Sequence, residues 1–293
     1  MTFVYRDYDQ QALDLQYNNQ AHVADPKRFL DWYVSASASA RERVKHRGEV
    51  AYGALPDERL DIFFPVGAGA EERRPVVVFI HGGAWRNLDR ARSSFAAPTF
   101  TSVGALYVAL GFSRMPMAGS LDEMVAQVRR ALAWLYEHIG AYGGDCLRLH
   151  LIAHSSGAHL AGMMLGTDWP SLFGLPEQIV HSAVFVSGIY DLEPVRLSSR
   201  NELLKLDRAS EIRNSPCRNL PGKAPPLLIA FGEKDTAEFR RQAHDFANLY
   251  RRRALETTEL LEIPGVNHYE TIEMLTDPNS LLSRAAIRKF HLA

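Results

Sequence analysis

The stretch Leu149–His159 reads LHLIAHSSGAH, and it decides the fold more than any other part of the chain. Its first half is an apolar run that predicts a β-strand, and the helix-competent run Ala158–Leu165 follows closely. Ser155 lies two residues after Ala153 and two residues before Gly157. Small residues at these positions permit a sharp strand-to-helix turn, which holds the serine hydroxyl above the end of the sheet.

A serine displayed on such a turn is typical of a nucleophile that attacks a carbonyl carbon. The usual pattern has glycine at both small positions, whereas this chain has Ala153 at the first. Ser156 is the alternative nucleophile, but its flanking positions hold His154 and Ala158, and an imidazole is too bulky for the turn. We therefore expect Ser155 to be the nucleophile of a serine hydrolase.

The composition is that of an ordinary globular protein. The 293 residues are 46% hydrophobic and 23% charged, and the formal net charge is −1. A nearly neutral chain lacks the electrostatic footprint of a protein that binds nucleic acid or anionic membranes. We expect a small-molecule substrate, no nucleic-acid partner and no membrane partner. The sequence does not determine the oligomeric state, for which a homodimer is the candidate.

Cysteine usage and the amino-terminal segment bear on the compartment. The chain has two cysteines, Cys146 and Cys217, and so low a number suits inert thiols in a reducing environment. The segment Met1–Asp9 lacks a basic region followed by an apolar core, and no run of about 18 apolar residues occurs. These patterns predict a cytoplasmic protein without a membrane span.

Strand and helix patterns alternate along most of the chain, after a helical lead-in over residues 1–47 in which Pro26 opens a helix. The run Val76–Ile80 is β-branched and continuous, which is typical of a strand buried on both faces. The predicted strands are Val50–Tyr52, Arg59–Phe64, Arg74–His81, Ala105–Leu110, Leu147–Ala153, Ser182–Val186, Pro226–Phe231 and Thr258–Ile263. The predicted helices are Ser120–His138, Ala158–Leu165 and Ala237–Arg253. This order predicts a mostly parallel sheet with helices on both faces.

Residues 190–222 interrupt the alternation with short helical patterns at Asn201–Leu206 and Ala209–Arg213. Because this segment follows a strand, we expect a small helical lid insertion within a single domain over residues 1–293. The glycine-containing stretch Val66–Ala70 precedes no helix, so it is expected to be a surface loop rather than a nucleotide-binding loop.

An acid and a histidine follow the last two predicted strands. Asp235 and His268 each lie on the loop after such a strand, and the carboxyl ends of parallel strands meet at one edge of a sheet. His268 is expected to take the proton of Ser155 and return it to the leaving group, with Asp235 fixing the imidazole tautomer. Asp191, one strand earlier, is the alternative acid.

The loop His81–Trp85 reads HGGAW and follows the buried strand directly. Glycines let backbone amides approach a ligand closely, and such amides stabilise the oxyanion that forms when a carbonyl is attacked. We expect the oxyanion hole to comprise the amides of Gly83, Ala84 and Ser156. Glycine loop, nucleophile, acid and histidine occur in the order that this kind of catalytic architecture requires.

Together these motifs resemble those of the kynurenine formamidase (arylformamidase) group of α/β-hydrolases, which is related to hormone-sensitive-lipase-like esterases. The resemblance rests on HGGxW and continues at Tyr17–Asn19, at AHSSGAHL around Ser155, at Gly188–Pro194, Asn214–Pro216, Asp235–Gln242 and Gly265–Glu270. It implies the α/β-hydrolase fold, oxyanion amides at Gly83 and Ala84, and hydrolysis of N-formylkynurenine or of small aryl esters and amides. No metal and no organic cofactor is implied.

Three histidines near these motifs have structural interpretations. His81 is expected to hold the glycine loop through hydrogen bonds. His154 and His159 are five residues apart, which differs from the i, i+4 pair of a zinc-binding helix, so we expect them to be structural.

Three aromatic residues are candidates for the substrate pocket. Trp85 and Tyr190 are the predicted substrate-binding residues, and Phe173 is a further candidate. Each of the three rings could equally pack in the core.

The sequence thus predicts metal-free hydrolysis of a small acyl ester or an N-formyl arylamide through an acyl-Ser155 intermediate. The alternative within enzymes is a broad-specificity carboxylesterase with no role in tryptophan catabolism. A non-catalytic binding protein on the same scaffold is disfavoured, because Ser155, Asp235 and His268 are all present.

Overall fold

Eight strands pair side by side in one sheet. The computed structural model describes residues 2–67, 73–220, 222–252 and 258–292. The strands are β1 (His46–Ala51), β2 (Arg59–Phe63), β3 (Arg74–Ile80), β4 (Leu106–Leu110), β5 (Gly144–His154), β6 (Ser182–Val186), β7 (Leu227–Gly232) and β8 (Thr258–Ile263). Their order is β1-β2-β4-β3-β5-β6-β7-β8, with β2 antiparallel to both neighbours and parallel pairing elsewhere. The predicted mostly parallel sheet is confirmed.

Helices fill the connections between these strands. They are α1 (Gln10–Gln16), α2 (Pro26–Arg43), α3 (Ala97–Ser102), α4 (Leu121–His138), α5 (Ser156–Leu165), α6 (Trp169–Phe173), α7 (Glu193–Leu197), α8 (Asn201–Leu204), α9 (Arg208–Asn214), α10 (Ala237–Arg251), α11 (Glu270–Glu273) and α12 (Leu281–Lys289). The predicted helices are confirmed within a few residues, whereas α3, α6, α7, α11 and α12 were not predicted. Arg253, the predicted end of α10, and residues 68–70 of the predicted surface loop lie outside the described residues.

Local sequence signals set the start of the two longest helices. Asp25 accepts hydrogen bonds from the amides of Lys27 and Arg28, and Pro26 occupies the first turn of α2. The hydroxyl of Ser120 likewise accepts the amide of the third residue of α4. Side-chain acceptors at these positions satisfy amides that have no partner within the helix.

The core lies on both faces of the sheet, and β3 divides it by alternation. Val76, Val78 and Ile80 are buried in the apolar cluster shared with α4, α5 and α10. Val77 and Phe79 are buried in the opposite cluster, shared with α3 and α12. Burial on both faces explains why this strand is apolar throughout rather than alternating with polar residues.

The register of the strands aligns their carboxyl ends at one edge. Ile80 pairs with Ala153, His154 pairs with Val186, and Val186 pairs with Ala230. The loops that follow β3, β5, β6, β7 and β8 therefore open beside one another. The predicted site residues lie on these loops or at their ends.

The lead-in contains helices, and short helices occur within residues 190–222, whereas the lid role of that segment stays a prediction. The lead-in forms α1 and α2, although β1 already begins at His46, and the later segment contains α7, α8 and α9. Among the described residues, no helix has both the length and the apolar character needed to traverse a bilayer.

Candidate active site

Ser155 occupies a sharp turn between β5 and α5. Its backbone angles are φ 56° and ψ −125°, a strained conformation for a residue with a side chain. The amide of Ser155 donates to the carbonyl of Val186 at 2.9 Å, and α5 begins at the next residue. A Cβ at Gly157 would lie 2.2 Å from the carbonyl oxygen of Ile80, so only glycine lets α5 approach β3 this closely. The predicted strand–turn–helix geometry is confirmed, with Ala153 accommodated in the core.

His268 lies between Ser155 and Asp235. Its Nε2 is 3.0 Å from Ser155 Oγ, and its Nδ1 is 2.7 Å from Asp235 Oδ1. With the proton on Nδ1 donated to the carboxylate, Nε2 is free to accept the serine proton. All three residues are buried. The structure therefore brings together the three side chains that the sequence predicted.

The carboxylate of Asp235 is fixed by two further donors. Its Oδ2 accepts the hydroxyl of Ser187 at 2.6 Å and the amide of Gly232 at 2.9 Å. Burial raises the pKa of Asp235, but His268 and these hydrogen bonds outweigh burial and hold the pKa below its usual value. Asp235 is therefore ionised at neutral pH. Sequence reasoning missed Ser187, although its place directly after β6 was a usable signal.

Asp191, the alternative acid, serves a different purpose. Its carboxylate accepts the amide of Glu193 at 3.1 Å, at the start of α7. Its amide donates to Gln242 Oε1 at 2.9 Å, and its carbonyl accepts Gln242 Nε2 at 3.1 Å. These bonds order the turn after β6, whereas the imidazole of His268 is bonded to Asp235.

His154 supports the loop that carries His268, residues 264–269 after β8, which we call the histidine loop. Its Nε2 donates to the carbonyl of His268 at 3.0 Å. Burial, together with electrostatic repulsion from His268, lowers the pKa of His154 to about 3. The imidazole of His154 is therefore uncharged at neutral pH. The ring of Phe239 meets the His268 ring edge-on, with centroids 4.6 Å apart. Phe239 is a second supporting residue that the sequence did not reveal.

The glycine loop is held by His81, as predicted. Its Nδ1 donates to the carbonyl of Gly82 at 2.9 Å, and its ring stacks on Phe112 with centroids 4.3 Å apart. Burial lowers the pKa of His81 to about 4. Because the carbonyl and the following amide point in opposite directions across a trans peptide, the amide of Gly83 faces away from His81.

Gly83 turns the loop with a φ of 103°. Its carbonyl accepts the amides of Arg86 at 3.1 Å and Asn87 at 2.7 Å. A Cβ on Gly83 would lie 2.1 Å from the Asn87 carbonyl oxygen, so a larger residue does not fit. By the same trans-peptide geometry, the amide of Ala84 points away from this turn.

Trp85 links the glycine loop to the turn at Ser155 and to helix α5. Its amide donates to Ser156 Oγ at 3.1 Å, and its indole Nε1 donates to His159 Nδ1 at 3.2 Å. His159 Nε2 in turn donates to the carbonyl of Asn214 at 2.8 Å, and burial lowers the pKa of His159 to about 4. The Ser156 hydroxyl is thus engaged by the loop, while Ser155 faces His268.

The amides predicted for the oxyanion hole are available to a ligand. Within the described part of the chain, the amides of Gly83, Ala84 and Ser156 donate to no protein acceptor. The bond between Trp85 and Ser156 brings the two contributing segments together. Ser156 is buried, and Gly83 and Ala84 are partly buried. Amides kept from water without an acceptor are costly unless a ligand or a water molecule completes them.

Two of the three candidate pocket rings are fully buried in this structure, and the third is partly buried. Trp85 is 2% exposed, and Tyr190 is 1% exposed and stacks on Phe246 with centroids 4.2 Å apart. Phe173 packs against Trp169 at 5.7 Å in α6. These contacts are those of rings that pack in the core. A role in the substrate pocket stays a prediction for all three residues.

A further structure, which we call the cover, consists of residues 10–17 of the lead-in and residues 197–200. Gln10 Nε2 donates to the Leu197 carbonyl at 3.0 Å, and the Ser199 amide donates to Asp14 Oδ1 at 2.7 Å. The cover approaches His268 through two rings. The ring of Tyr17 lies 6.0 Å from that of Phe239 on α10, and the ring of Phe239 in turn meets that of His268. Sequence reasoning singled out Tyr17–Asn19 only by resemblance.

Comparison with known proteins places the chain in a family. A family model described as BD-FAE matches residues 60–172. Kynurenine formamidase of Danio rerio is 32% identical over 301 aligned residues, covering 97% of both chains, and that of Salmo salar is 31% identical over 300, also covering 97% of both. The chain belongs to the kynurenine formamidase family. Membership of this family assigns it to the hydrolases.

The fold of this kynurenine formamidase family member agrees with solved structures. A protein from Silicibacter sp. tm1040 is 24% identical and superposes with a TM-score of 0.80 over 94% of this chain and 98% of its own. Together with the sheet order, this likeness confirms the predicted α/β-hydrolase fold.

Proposed function

We propose that this chain hydrolyses N-formyl arylamides, with N-formylkynurenine as the representative substrate, through a formyl-Ser155 intermediate. One observation carries the proposal: His268 lies 3.0 Å from Ser155 Oγ and 2.7 Å from Asp235 Oδ1. This is the hydrogen-bonding order in which a serine hydroxyl becomes a nucleophile. The family relationship supports the choice of a formamide bond.

Acylation begins when Ser155 Oγ attacks the formyl carbon and His268 Nε2 takes the hydroxyl proton. The carbonyl oxygen becomes an oxyanion, which the amides of Gly83, Ala84 and Ser156 are proposed to bind. A single donor of this kind stabilises the transition state by roughly 3 kcal/mol. Protonated His268 then gives its proton to the aryl nitrogen, the C–N bond breaks, and the arylamine leaves.

Deacylation repeats these steps with water. His268 takes a proton from the water, the hydroxide attacks the formyl ester, and the proton returns to Ser155 Oγ as formate leaves. Asp235 remains ionised throughout, because its low pKa favours the carboxylate that stabilises the imidazolium. No metal or organic cofactor takes part in these steps.

Burial of the nucleophile favours a small acyl group. Ser155 is 7% exposed, and Trp85 and His154 are each 2% exposed. A formyl group needs little room on the acyl side, whereas a long acyl chain requires a channel. This steric argument supports a formamide or a short ester.

A broad-specificity carboxylesterase, the alternative, would use the same residues. The test compares kcat/KM for N-formylkynurenine with kcat/KM for phenyl acetate on the wild-type chain. We expect the formamide to be preferred at least tenfold, and Ser155→Ala to remove both activities. A preference for the ester would instead support the carboxylesterase.

We further propose that the chain acts in the cytoplasm as a single domain, with residues 190–222 as its lid. Cys146 and Cys217 are both free, which suits a reducing compartment. Burial raises the pKa of Cys217 to about 12, so its thiol is unreactive. A homodimer stays a prediction, and light scattering on the purified chain would measure it.

A further inference from the structure

Arg200 of the cover presents a guanidinium close to the histidine loop. It lies at the start of α8, and its amide donates to Ser198 Oγ at 3.3 Å. Its Nε and Nη2 donate to the carbonyl of Tyr17 at 3.2 and 2.6 Å. These two atoms form one edge of the guanidinium fork, so the Nη1–Nη2 edge remains for another acceptor.

Within the described ranges, Arg200 forms no ion pair, whereas the nearby Arg196 pairs with Glu211 at 2.7 Å. Asp14, the acid of the cover, is bonded instead to the Ser199 amide and to Gln10. A partly buried cation without a counter-ion is costly for stability, which indicates a role in binding.

Two residues next to the candidate active site act electrostatically on Arg200. Burial lowers the pKa of Arg200, Tyr269 opposes that change, and Arg86 lowers the pKa further. Tyr269 follows His268, with ring centroids 5.6 Å apart. Arg86 follows the glycine loop and is itself exposed and without an ion pair in the described part of the chain. Arg200 is thus linked to His268 through Tyr17 and Phe239, and Arg86 adds a second cation from the side of the glycine loop.

We propose that Arg200 binds a carboxylate of the substrate through its Nη1–Nη2 edge, with Arg86 adding positive potential. The bond to Tyr17 orients the guanidinium before substrate arrives, and a two-pronged contact matches carboxylate geometry. This inference rests on the proposed function and specifies it. Such a contact selects aryl formamides with an anionic side arm, as in N-formylkynurenine, over neutral aryl formamides.

The test uses two substrates that differ only in charge, N-formylkynurenine and its carboxamide. We expect the wild-type chain to prefer the carboxylate about 10- to 100-fold in kcat/KM, the range of a hydrogen bond to a charged group. Arg200→Gln should remove that preference, mainly through KM, while turnover of the carboxamide stays within about threefold. Arg200→Lys should keep part of the preference, because the charge remains but the fork is lost.

A matched control lies in the same segment. Arg213 is an exposed arginine paired with Asp122 at 2.8 Å, so Arg213→Gln should leave both substrates unchanged. Equal loss on both substrates in Arg200→Gln would show that the residue only holds Tyr17, and would overturn the proposal. A wild-type chain without any preference for the carboxylate would overturn it as well.

A second measurement separates this inference from the proposed function. Kynurenine and its carboxamide are tested as competitive inhibitors of phenyl acetate hydrolysis, which does not depend on formamide cleavage. We expect kynurenine to inhibit at a concentration at least tenfold lower than its carboxamide, and Arg200→Gln to abolish the difference. If neither formamide is cleaved but this difference is found, the proposed function fails and the carboxylate site stands; equal inhibition overturns the site.

Discussion

Two regions of the molecule, the strand-end region and the cover, are built differently. The strand-end region consists of the loops after β3, β5, β6, β7 and β8, whose positions follow from the sheet register. The cover consists of residues 10–17 and 197–200, which are joined across the sequence by side-chain hydrogen bonds. The bond between Ser187 and Asp235 in the first region is buried, whereas those of Gln10 and Asp14 in the second are exposed.

This difference separates chemistry from recognition. Proton transfer needs donors and acceptors held at fixed distances and away from water, which the buried strand ends provide. An exposed hydrogen bond contributes only about 1 kcal/mol, so the cover is more easily disturbed. Changes in the strand-end region should therefore affect kcat strongly, and changes in the cover should affect KM modestly.

The largest effect is expected from Ser155→Ala. It removes the proposed nucleophile at the centre of the strand-end region, and kcat should fall by about ten-thousand-fold or more. Urea unfolding should show a stable fold. The matched control is Ser156→Ala, which loses only the acceptor for the Trp85 amide and should retain turnover within about tenfold. An active Ser155→Ala variant with an inactive Ser156→Ala variant would reverse the assignment.

Asp235→Asn should follow closely. An amide cannot hold the same imidazole tautomer or stabilise the imidazolium, so kcat should drop by roughly a thousand- to ten-thousand-fold. Asp191→Asn serves as the control, because Asp191 caps a turn and does not contact His268. Its kcat should stay near wild type. Comparable losses in both variants would mean that the acid has been wrongly identified.

Lowering the pH should lower the free energy of unfolding, because buried histidines in and beside the strand-end region resist protonation. The pKa of His81 and of His159 is about 4 and that of His154 about 3 in the folded chain, each below the unfolded value. Between pH 6.5 and 4 the unfolded chain therefore binds more protons, and the free energy of unfolding falls as pH falls. At pH 5 the loss should be on the order of 2 kcal/mol for each histidine.

Urea unfolding at pH 7.5 and at pH 5 measures this loss. The decrease should be smaller in His159→Gln, which removes one of the three titrating groups. Stability that is constant or rises toward pH 5 would contradict the buried neutral state of these histidines.

Ser187→Ala should have a smaller effect on the same region. It removes one of the two further donors to Asp235 Oδ2 and leaves the bond to His268 in place. A loss of about tenfold in kcat with unchanged KM is expected, since one hydrogen bond to a charged group is removed. A change confined to KM would indicate that Ser187 acts on substrate binding and not through Asp235.

The smallest effect is expected in the cover. Asp14→Ala removes the acceptor for the Ser199 amide, so residues 197–200 lose one attachment to α1. KM should rise about two- to fivefold with kcat unchanged. Asp31→Ala, which breaks an exposed ion pair with Lys27 in α2, should change neither constant. A large fall in kcat for Asp14→Ala would remove the distinction between the two regions.

Most of the fold could be predicted because its signals are local. The apolar run of β3, the capped start of α4 and the turn at Ser155 each depend on neighbouring residues. Helix α12 was missed, although Ser280 caps it and Leu282, Ala285 and Ala286 form its buried face.

The site was predictable where sequence order reports strand-end position, as for Ser155, Asp235 and His268. The contacts of Ser187 with Asp235 and of Arg200 with Tyr17 were not predictable, because each joins residues that are distant in the sequence. Ser187 is separated from Asp235 by 48 positions, and Arg200 from Tyr17 by 183. Nothing in either residue type specifies such a partner, and only the folded chain brings the pairs together.

The central claim is that Ser155 is activated by His268 within the buried strand-end region. Labelling of the folded chain with a fluorophosphonate, followed by peptide mass spectrometry, tests it most directly. We expect one adduct, located on Ser155, with a labelling rate that falls steeply in Asp235→Asn. An adduct on Ser156, or a folded chain that does not react at all, would contradict the claim.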